Sequence, residues 1–381
     1  MRILFLTPWF PNRVHARDGN FVERYAALAA EIGSVTLLHA VHDPKLGVGT
    51  LELHTEARIW GQLHQVYYGG QGGRWQRLRA RRKAWRAAIA ALTERPDVIY
   101  AHVLIDGGIV AARLARRWGV PFVVSEHASR YLEPGVPLRY AFDFMLARRA
   151  ARRASWVLPV STALRMGMEQ KGIRANYRVL PNPVDDRFFV PASREASPGG
   201  RQMLHLSDAS WQKNIGLLLD AFELAHREDP GLELVLAGDG NPVVLRRAIA
   251  THLGPAARRA LRLRGPLDRS EVVSAMQSAR LFVLTSTIET QGIVVLEALL
   301  CGLPVITTPC GGPQSLLQHP EDGSVLADFQ PTTLAEAMLA WLARPAETDH
   351  ARQQRAERAR QAFGLERFRV DLREILGSLR G

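Results

Sequence analysis

Short apolar, β-branched runs alternate with longer helical stretches along almost the whole chain, and the alternation occurs in two successive series. Strands separated by helices cannot close as hairpins; they need crossover connections, and so parallel sheets. The first series predicts strands over 3–7, 35–39, 98–101, 122–125, 156–160 and 177–180, with helices over 21–32, 75–94, 107–118 and 138–153. The second predicts strands over 203–206, 232–237, 261–264, 281–285, 304–307 and 324–326, with helices over 215–227, 242–253, 270–278, 292–301 and 334–342. An Arg-rich helix over 366–379 closes it. Between the series, residues 191–200 are rich in Pro, Gly and Ser, the composition of a linker. The expected organisation is therefore a first domain over 1–185, a linker over 186–200, a second domain over 201–365, and a C-terminal helix over 366–381 free to pack back on the first domain. Two doubly wound α/β domains facing across a cleft is the expected architecture. Such folds take ligands at the carboxyl ends of their strands.

Charge divides along the same line. The net charge is +12, and lysine supplies only four of the 49 basic residues: Lys45, Lys83, Lys171 and Lys213. Up to Asp185 there are 27 basic and 14 acidic residues; beyond it there are 22 and 23. An anionic partner is thus expected for the first half alone. The two cysteines, Cys301 and Cys310, are too few for a disulfide framework and point to a reducing cytoplasm. No zinc-ligand spacing occurs. The first residues, Met1 to Leu6, are followed at once by Thr-Pro-Trp-Phe-Pro, unlike a secretory leader, and the longest apolar run, 292–306, contains Glu297 and is too short to span a bilayer. A soluble or peripheral protein is expected.

The segment 281–312, LFVLTSTIETQGIVVLEALLCGLPVITTPCGG, is the richest in chemistry. A strand leads to a loop holding Glu289, and a helix opens near Gly292 and carries Glu297 among apolar residues. At 1.5 Å per helical residue the two carboxylates stand on the order of 12 Å apart, about the span from sugar to ribose in a nucleotide sugar. The helix N-terminus between them suits a diphosphate. The plain alternative is a solvated Glu289 and a salt-bridged Glu297.

This segment resembles the signature of family-4 retaining glycosyltransferases of the GT-B fold, a Glu-x7-Glu motif followed by Gly-x-Pro-Val-Ile. The resemblance continues through WFPNRVHARDGNFVERYAALA, HVLIDGGIVAARLARRWGVPFVVSEHAS, VLPNPVDDRFF, LHLSDASWQKNIGLLLDAF and LAGDGNP, in the family's order. It implies transfer from a nucleotide-sugar donor with retention of anomeric configuration and without a metal or other cofactor. By the same resemblance Glu289 holds the sugar hydroxyls, Glu297 the ribose diol, and Lys213 the diphosphate. His127 approaches the sugar and the reacting centre, with His102 a weaker second candidate. Gly19, Gly238, Gly240, Gly292 and Ile293 line the donor. Two positions depart from the pattern. Ser207 and Asp208 stand where the family carries an arginine, for which Arg264 is a candidate substitute, and Gln291 replaces an aromatic residue.

The residues from Arg74 to Arg86 (RWQRLRARRKAWR) include seven basic side chains, with Trp75, Leu78, Trp85, Ile89 and Leu92 at helical spacing. A solvated helix face and an anionic membrane contact both remain open, and Arg148, Arg149, Arg152 and Arg153 extend the patch. The function expected is hexosyl transfer from a nucleotide-diphosphate sugar to a lipid-linked or cell-surface glycan at the inner membrane face. That covers polysaccharide, lipopolysaccharide or glycolipid synthesis. A sugar-nucleotide epimerase on the same fold, a sugar-nucleotide-binding protein without activity and a basic nucleic-acid-binding protein are the rivals, although no nucleic-acid motif is present.

Overall fold

Parallel pairing organises both halves of the chain. The computed structural model describes residues 1–16, 18–70, 73–135, 140–192 and 200–379. It separates into one unit of Met1–Pro183 with Phe368–Gly381 and another of Val184–Arg367.

In the first unit the elements are β1 (Arg2–Thr7), α1 (Asn20–Ala30), β2 (Ser34–His42), β3 (Leu51–Arg58), β4 (Gly61–Tyr68), α2 (Arg74–Ala90), β5 (Val98–His102), α3 (Ile109–Trp118), β6 (Phe122–Glu126), α4 (Ala141–Ala151), β7 (Trp156–Pro159) and α5 (Thr162–Gln170). A π-helical turn, Val103–Gly108, joins β5 to α3. The sheet runs β3-β4-β2-β1-β5-β6-β7, parallel except for β3. Strand β1 is central, pairing Ile3 with Val35 on one side and with Val98 on the other. Chain order reverses there, which opens a crevice at the carboxyl ends of β1 and β5.

The second unit holds β8 (Gln202–Leu206), α6 (Ile215–Glu228), β9 (Glu233–Ala237), α7 (Pro242–His252), α8 (Pro255–Ala260), β10 (Leu261–Leu263), α9 (Arg269–Ser278), β11 (Leu281–Leu284), α10 (Ile293–Leu300), β12 (Val305–Thr307), β13 (Gly323–Val325), α11 (Pro331–Leu342) and α12 (Asp349–Phe363). Helix α13 (Leu365–Gly377) follows and crosses the division between the units. This second sheet, β10-β9-β8-β11-β12-β13, is parallel throughout and reverses between β8 and β11. Its inner strands β8, β9, β11 and β12 are largely buried, which is why they read as mostly apolar runs.

Several expectations need correction. The hairpin β3–β4 is absent from the sequence-based reading. β3 is an edge strand exposed along nearly its whole length, so it carries polar residues instead of an apolar signature. Residues 177–180 form only an isolated bridge, Val157 to Tyr177. Val184, at the end of the expected first domain, and Phe189, in the expected linker, are both buried in the second unit's core; residues 193–199 lie outside the described residues. Helix α12 was also missed, because its buried side chains include arginines. Arg355 is 1% exposed and donates to both Glu347 carboxylate oxygens and to the carbonyls of Gly302 and Glu321.

Part of α13 packs within the first unit. Phe368 meets Tyr25 edge-on at 4.9 Å, and Arg178 donates to Asp371 and Glu374 at 2.5 and 2.6 Å. Among the described residues no helix is long and apolar enough to cross a membrane.

Candidate active site

Each sheet places its candidate residues at the carboxyl ends of strands at or beside its point of reversal. In the second unit, the loop after β8 passes Ser207, Asp208 and Ala209 into a 3-10 turn, Trp211–Lys213. Asn214, at φ +47°, then opens α6. The loop after β11 carries Glu289, and Lys213 Nζ donates to Glu289 Oε2 at 2.7 Å. The pair is fixed from behind. Thr285 Oγ1 donates to the Lys213 carbonyl at 2.8 Å, and the Thr287 amide donates to that of Gln212 at 2.7 Å. The Glu289 backbone bridges to Gly311, its amide donating to the Cys310 carbonyl at 2.9 Å and its carbonyl accepting from the Gly312 amide at 2.8 Å. Burial works against the Lys213 ammonium, but the charge and hydrogen bond of Glu289 outweigh it, so its pKa is raised and the lysine stays charged.

Gly292 adopts φ +83° and precedes α10, whose free amides begin at Ile293. A Cβ at Gly292 would come within 2.8 Å of Pro313 Cγ, so both conformation and space select glycine. Glu297 lies half-buried on α10. The helix covers only the second half of the Glu289-to-Glu297 interval, so the separation expected from helical rise does not apply. A Cβ on Gly238 would run into the Ser207 carbonyl oxygen, and one on Gly240 would meet Ala209 Cβ at 2.6 Å. These two glycines therefore hold the β9–α7 turn against the lysine-bearing loop.

Ser207 and Asp208 make local contacts. Ser207 Oγ meets His205 Nε2 at 2.9 Å and accepts from the Ala209 amide, while Asp208 accepts from the Ser210 amide. Arg264 pairs with Glu271 at 3.5 Å. Burial holds His205 near a pKa of about 4, so it is neutral beside the lysine loop.

In the first unit, His102 ends β5 and His127 follows β6. Their rings stack at 5.3 Å, and His102 Nδ1 and His127 Nε2 share a hydrogen bond of 3.1 Å. Both are buried. Burial drives His127 down to about 3 against an opposing hydrogen bond from Asn182, and burial together with His127 holds His102 well below its ordinary value. Two neutral imidazoles result, one donating to the other. Tyr25 stands edge-on to His102 at 5.0 Å and donates to Asn182 Oδ1 at 3.3 Å.

Glu126 is a residue that sequence reasoning missed. Fully buried, it accepts from the amides of Leu104, His127 and Ala128, each at 2.8 Å, and so ties the ends of β5 and β6 together. Burial raises its pKa and the three amides oppose that rise. The available signal was a carboxylate closing an apolar strand beside His127. Gly19, at φ +58°, precedes α1, where a Cβ would come within 2.5 Å of the Trp9 backbone.

The chemistry of the two sets differs. A charged lysine–carboxylate pair beside a helix N-terminus can meet a diphosphate and sugar hydroxyls. A neutral imidazole can exchange a hydrogen bond with a hydroxyl but cannot neutralise phosphate. Among the described residues no cluster of three or more His, Cys, Asp or Glu side chains is arranged to hold a metal ion.

Two family models match the chain. Residues 186–362 fit the glycosyl transferases group 1, and residues 25–183 fit the glycosyl transferase 4-like domain. Glycogen synthase of Mycobacterium tuberculosis (strain ATCC 25618 / H37Rv) is 29% identical over 281 residues, 70% of this chain and 64% of that protein. Alpha-monoglucosyldiacylglycerol synthase of Streptococcus pneumoniae (strain ATCC BAA-255 / R6) is 26% identical over 227 residues, 55% of this chain and 51% of that protein. The chain thus spans less than two thirds of the length of these curated relatives. Among solved structures, Anabaena HepE in complex with UDP superposes with a TM-score of 0.75 at 21% identity, covering 100% of both chains. The same protein has been solved with UDP-glucose.

Proposed function

Since the chain belongs to the GT-B glycosyltransferases of the group 1, family-4-like type, we propose that it transfers a hexose from a nucleotide-diphosphate sugar with retention of anomeric configuration. The observation that carries this reading is the Lys213–Glu289 pair at the reversal point of the second sheet. In this reading, donor diphosphate displaces Glu289 from Lys213. The ammonium and the α10 amides from Ile293 then meet the phosphates, and the freed carboxylate accepts from sugar hydroxyls. Glu297 takes the ribose diol. Gly238 and Gly240 shape the nucleotide's surroundings, while Gly19 and His127 act from the first unit. An ammonium, not a resident metal, offsets the leaving charge.

The acceptor is a lipid-linked or cell-surface glycan, bound by the first unit at the inner face of the cytoplasmic membrane. The arginines of α2 and α4 attract its charge. The name of the pneumococcal relative, a diacylglycerol glucosylating enzyme, supports a lipid acceptor.

The test is a panel of nucleotide sugars scored by thermal stabilisation, followed by product analysis. A nucleotide sugar should raise the Tm and, with acceptor, give a product of the donor's anomeric configuration by NMR. Inversion at that carbon would overturn retention. Sugar interconversion without acceptor would mark an epimerase instead.

A further inference from the structure

A cavity with a volume of about 500 Å³ opens in the first unit. Helices α2, α3 and α4 and the π-helical turn after β5 wall it, and Tyr68, the last residue of β4, lies at its floor. Its composition is divided. Leu78, Trp85, Ile109 and Leu146 form an apolar wall, continued to the rim by Phe142, which is 62% exposed. Arg77, Arg81, Arg82 and Arg113 form the other wall, against only Asp106 and Asp143.

One of these arginines is already answered: Arg81 donates to Asp106 at 2.6 Å. Among the described residues, Arg77, Arg82 and Arg113 have no ion-pair partner, although Arg77 comes close enough to Tyr68 to act on its hydroxyl. Helical spacing explains the division. Leu78 and Trp85 lie seven residues apart on one stripe of α2, while Arg77 and Arg81, four apart, lie beside it. Three guanidinium groups without an ion-pair partner, lining one cavity with apolar side chains and an exposed phenyl ring, complement one kind of molecule. It has a multiply charged anionic head and a hydrocarbon tail.

We propose that this cavity binds the diphosphate-bearing end of a lipid-linked acceptor, with its phosphates on Arg77, Arg82 and Arg113. The first carbons of its chain lie on Leu78, Trp85 and Phe142. The proposal takes the lipid acceptor class from the function proposed above and assigns it a site. It also gives the arginines of α2 a defined ligand in place of a diffuse attraction to the membrane surface. The bound lipid becomes a local anchor that holds the first unit where its acceptor is.

The full chain should be titrated with farnesyl diphosphate, inorganic diphosphate and farnesol, reading Trp fluorescence and calorimetry. UDP-sugar stabilisation serves as an independent measure of the second unit. Farnesyl diphosphate should bind at least tenfold more tightly than either fragment. The triple variant Arg77→Ala, Arg82→Ala, Arg113→Ala should lose at least tenfold of that affinity, and Phe142→Ser severalfold, with UDP-sugar stabilisation unchanged in both. Equal binding of inorganic diphosphate, undiminished binding in the triple variant, or tighter binding of a short oligonucleotide would each overturn the proposal. Selective farnesyl diphosphate binding in a chain that no nucleotide sugar stabilises would remove the transfer reading and leave the lipid site standing.

Discussion

The two sheets have the same kind of reversal point and fill it with opposite electrostatics. In the first unit the carboxyl ends of β5 and β6 carry two buried, neutral imidazoles tied by Glu126. In the second, the ends of β8 and β11 carry a charged ammonium–carboxylate pair. Yet the first stretch, to Asp185, has an excess of 13 positive charges and the remainder is nearly neutral. The net charge of a region therefore says nothing about the charge of its site. Burial decides that: His102, enclosed by Phe21, Tyr25 and Tyr100, cannot keep a proton, whereas a half-buried lysine with a carboxylate at 2.7 Å can.

The most forceful way to break this contrast is to remove the charged pair. Glu289→Ala should lower transfer at least ~1,000-fold, and Lys213→Ala on the order of 100–1,000-fold, with the far-UV spectrum retained; such losses are typical of groups that stabilise developing charge. Wild-type turnover in Glu289→Ala would end the assignment. A pH series probes the neutral side. His39, His127 and His205 are held near about 4, 3 and 4, against 6.5 for the unburied group. The unfolded chain therefore binds more protons between these values, so the stability they contribute is complete near neutrality and falls as pH drops from 6.5 toward 4. Each should forfeit roughly 2–3 kcal/mol by pH 4. His205→Phe should flatten the Tm–pH curve, and an unaltered slope would show that this histidine is not held neutral.

A smaller effect is expected at Gly292. Its alanine variant must strain both φ and the Pro313 contact, and the donor dissociation constant should rise about tenfold, a cost of ~1–2 kcal/mol. Arg81→Ala is the mildest. It breaks an ion pair whose arginine is 43% exposed, and the loss should stay below about 1 kcal/mol by chemical denaturation.

Much of the architecture was legible because parallel strands buried on both faces are largely apolar, as in Leu281–Leu284 and the Phe122, Val123 and Val124 that open β6. What stayed hidden obeyed other rules. Strand β3 faces water, and α12 buries Arg352 and Arg355 through hydrogen bonds instead of an apolar stripe. The candidate residues Lys213, Glu289 and His127 were visible as types at strand ends. Their partnerships were not, since Lys213 and Glu289 lie 76 residues apart and His102 and His127 lie 25 apart. Glu126 needed three backbone amides from two loops before its burial made sense.

The return of the chain to its first unit has a consequence for biosynthesis. Phe368 packs on Tyr25, and Arg369 pairs with Glu31 at 3.1 Å, so a surface of the first unit is completed by residues made after the whole second unit. On the ribosome, α1 must wait with its Tyr25 side uncovered while the rest of the first stretch, to Pro183, and then all of Val184–Arg367 emerge. A premature stop before Phe368 would spare every candidate site residue and still leave that face open, a lesion for chaperones and proteases more than for chemistry.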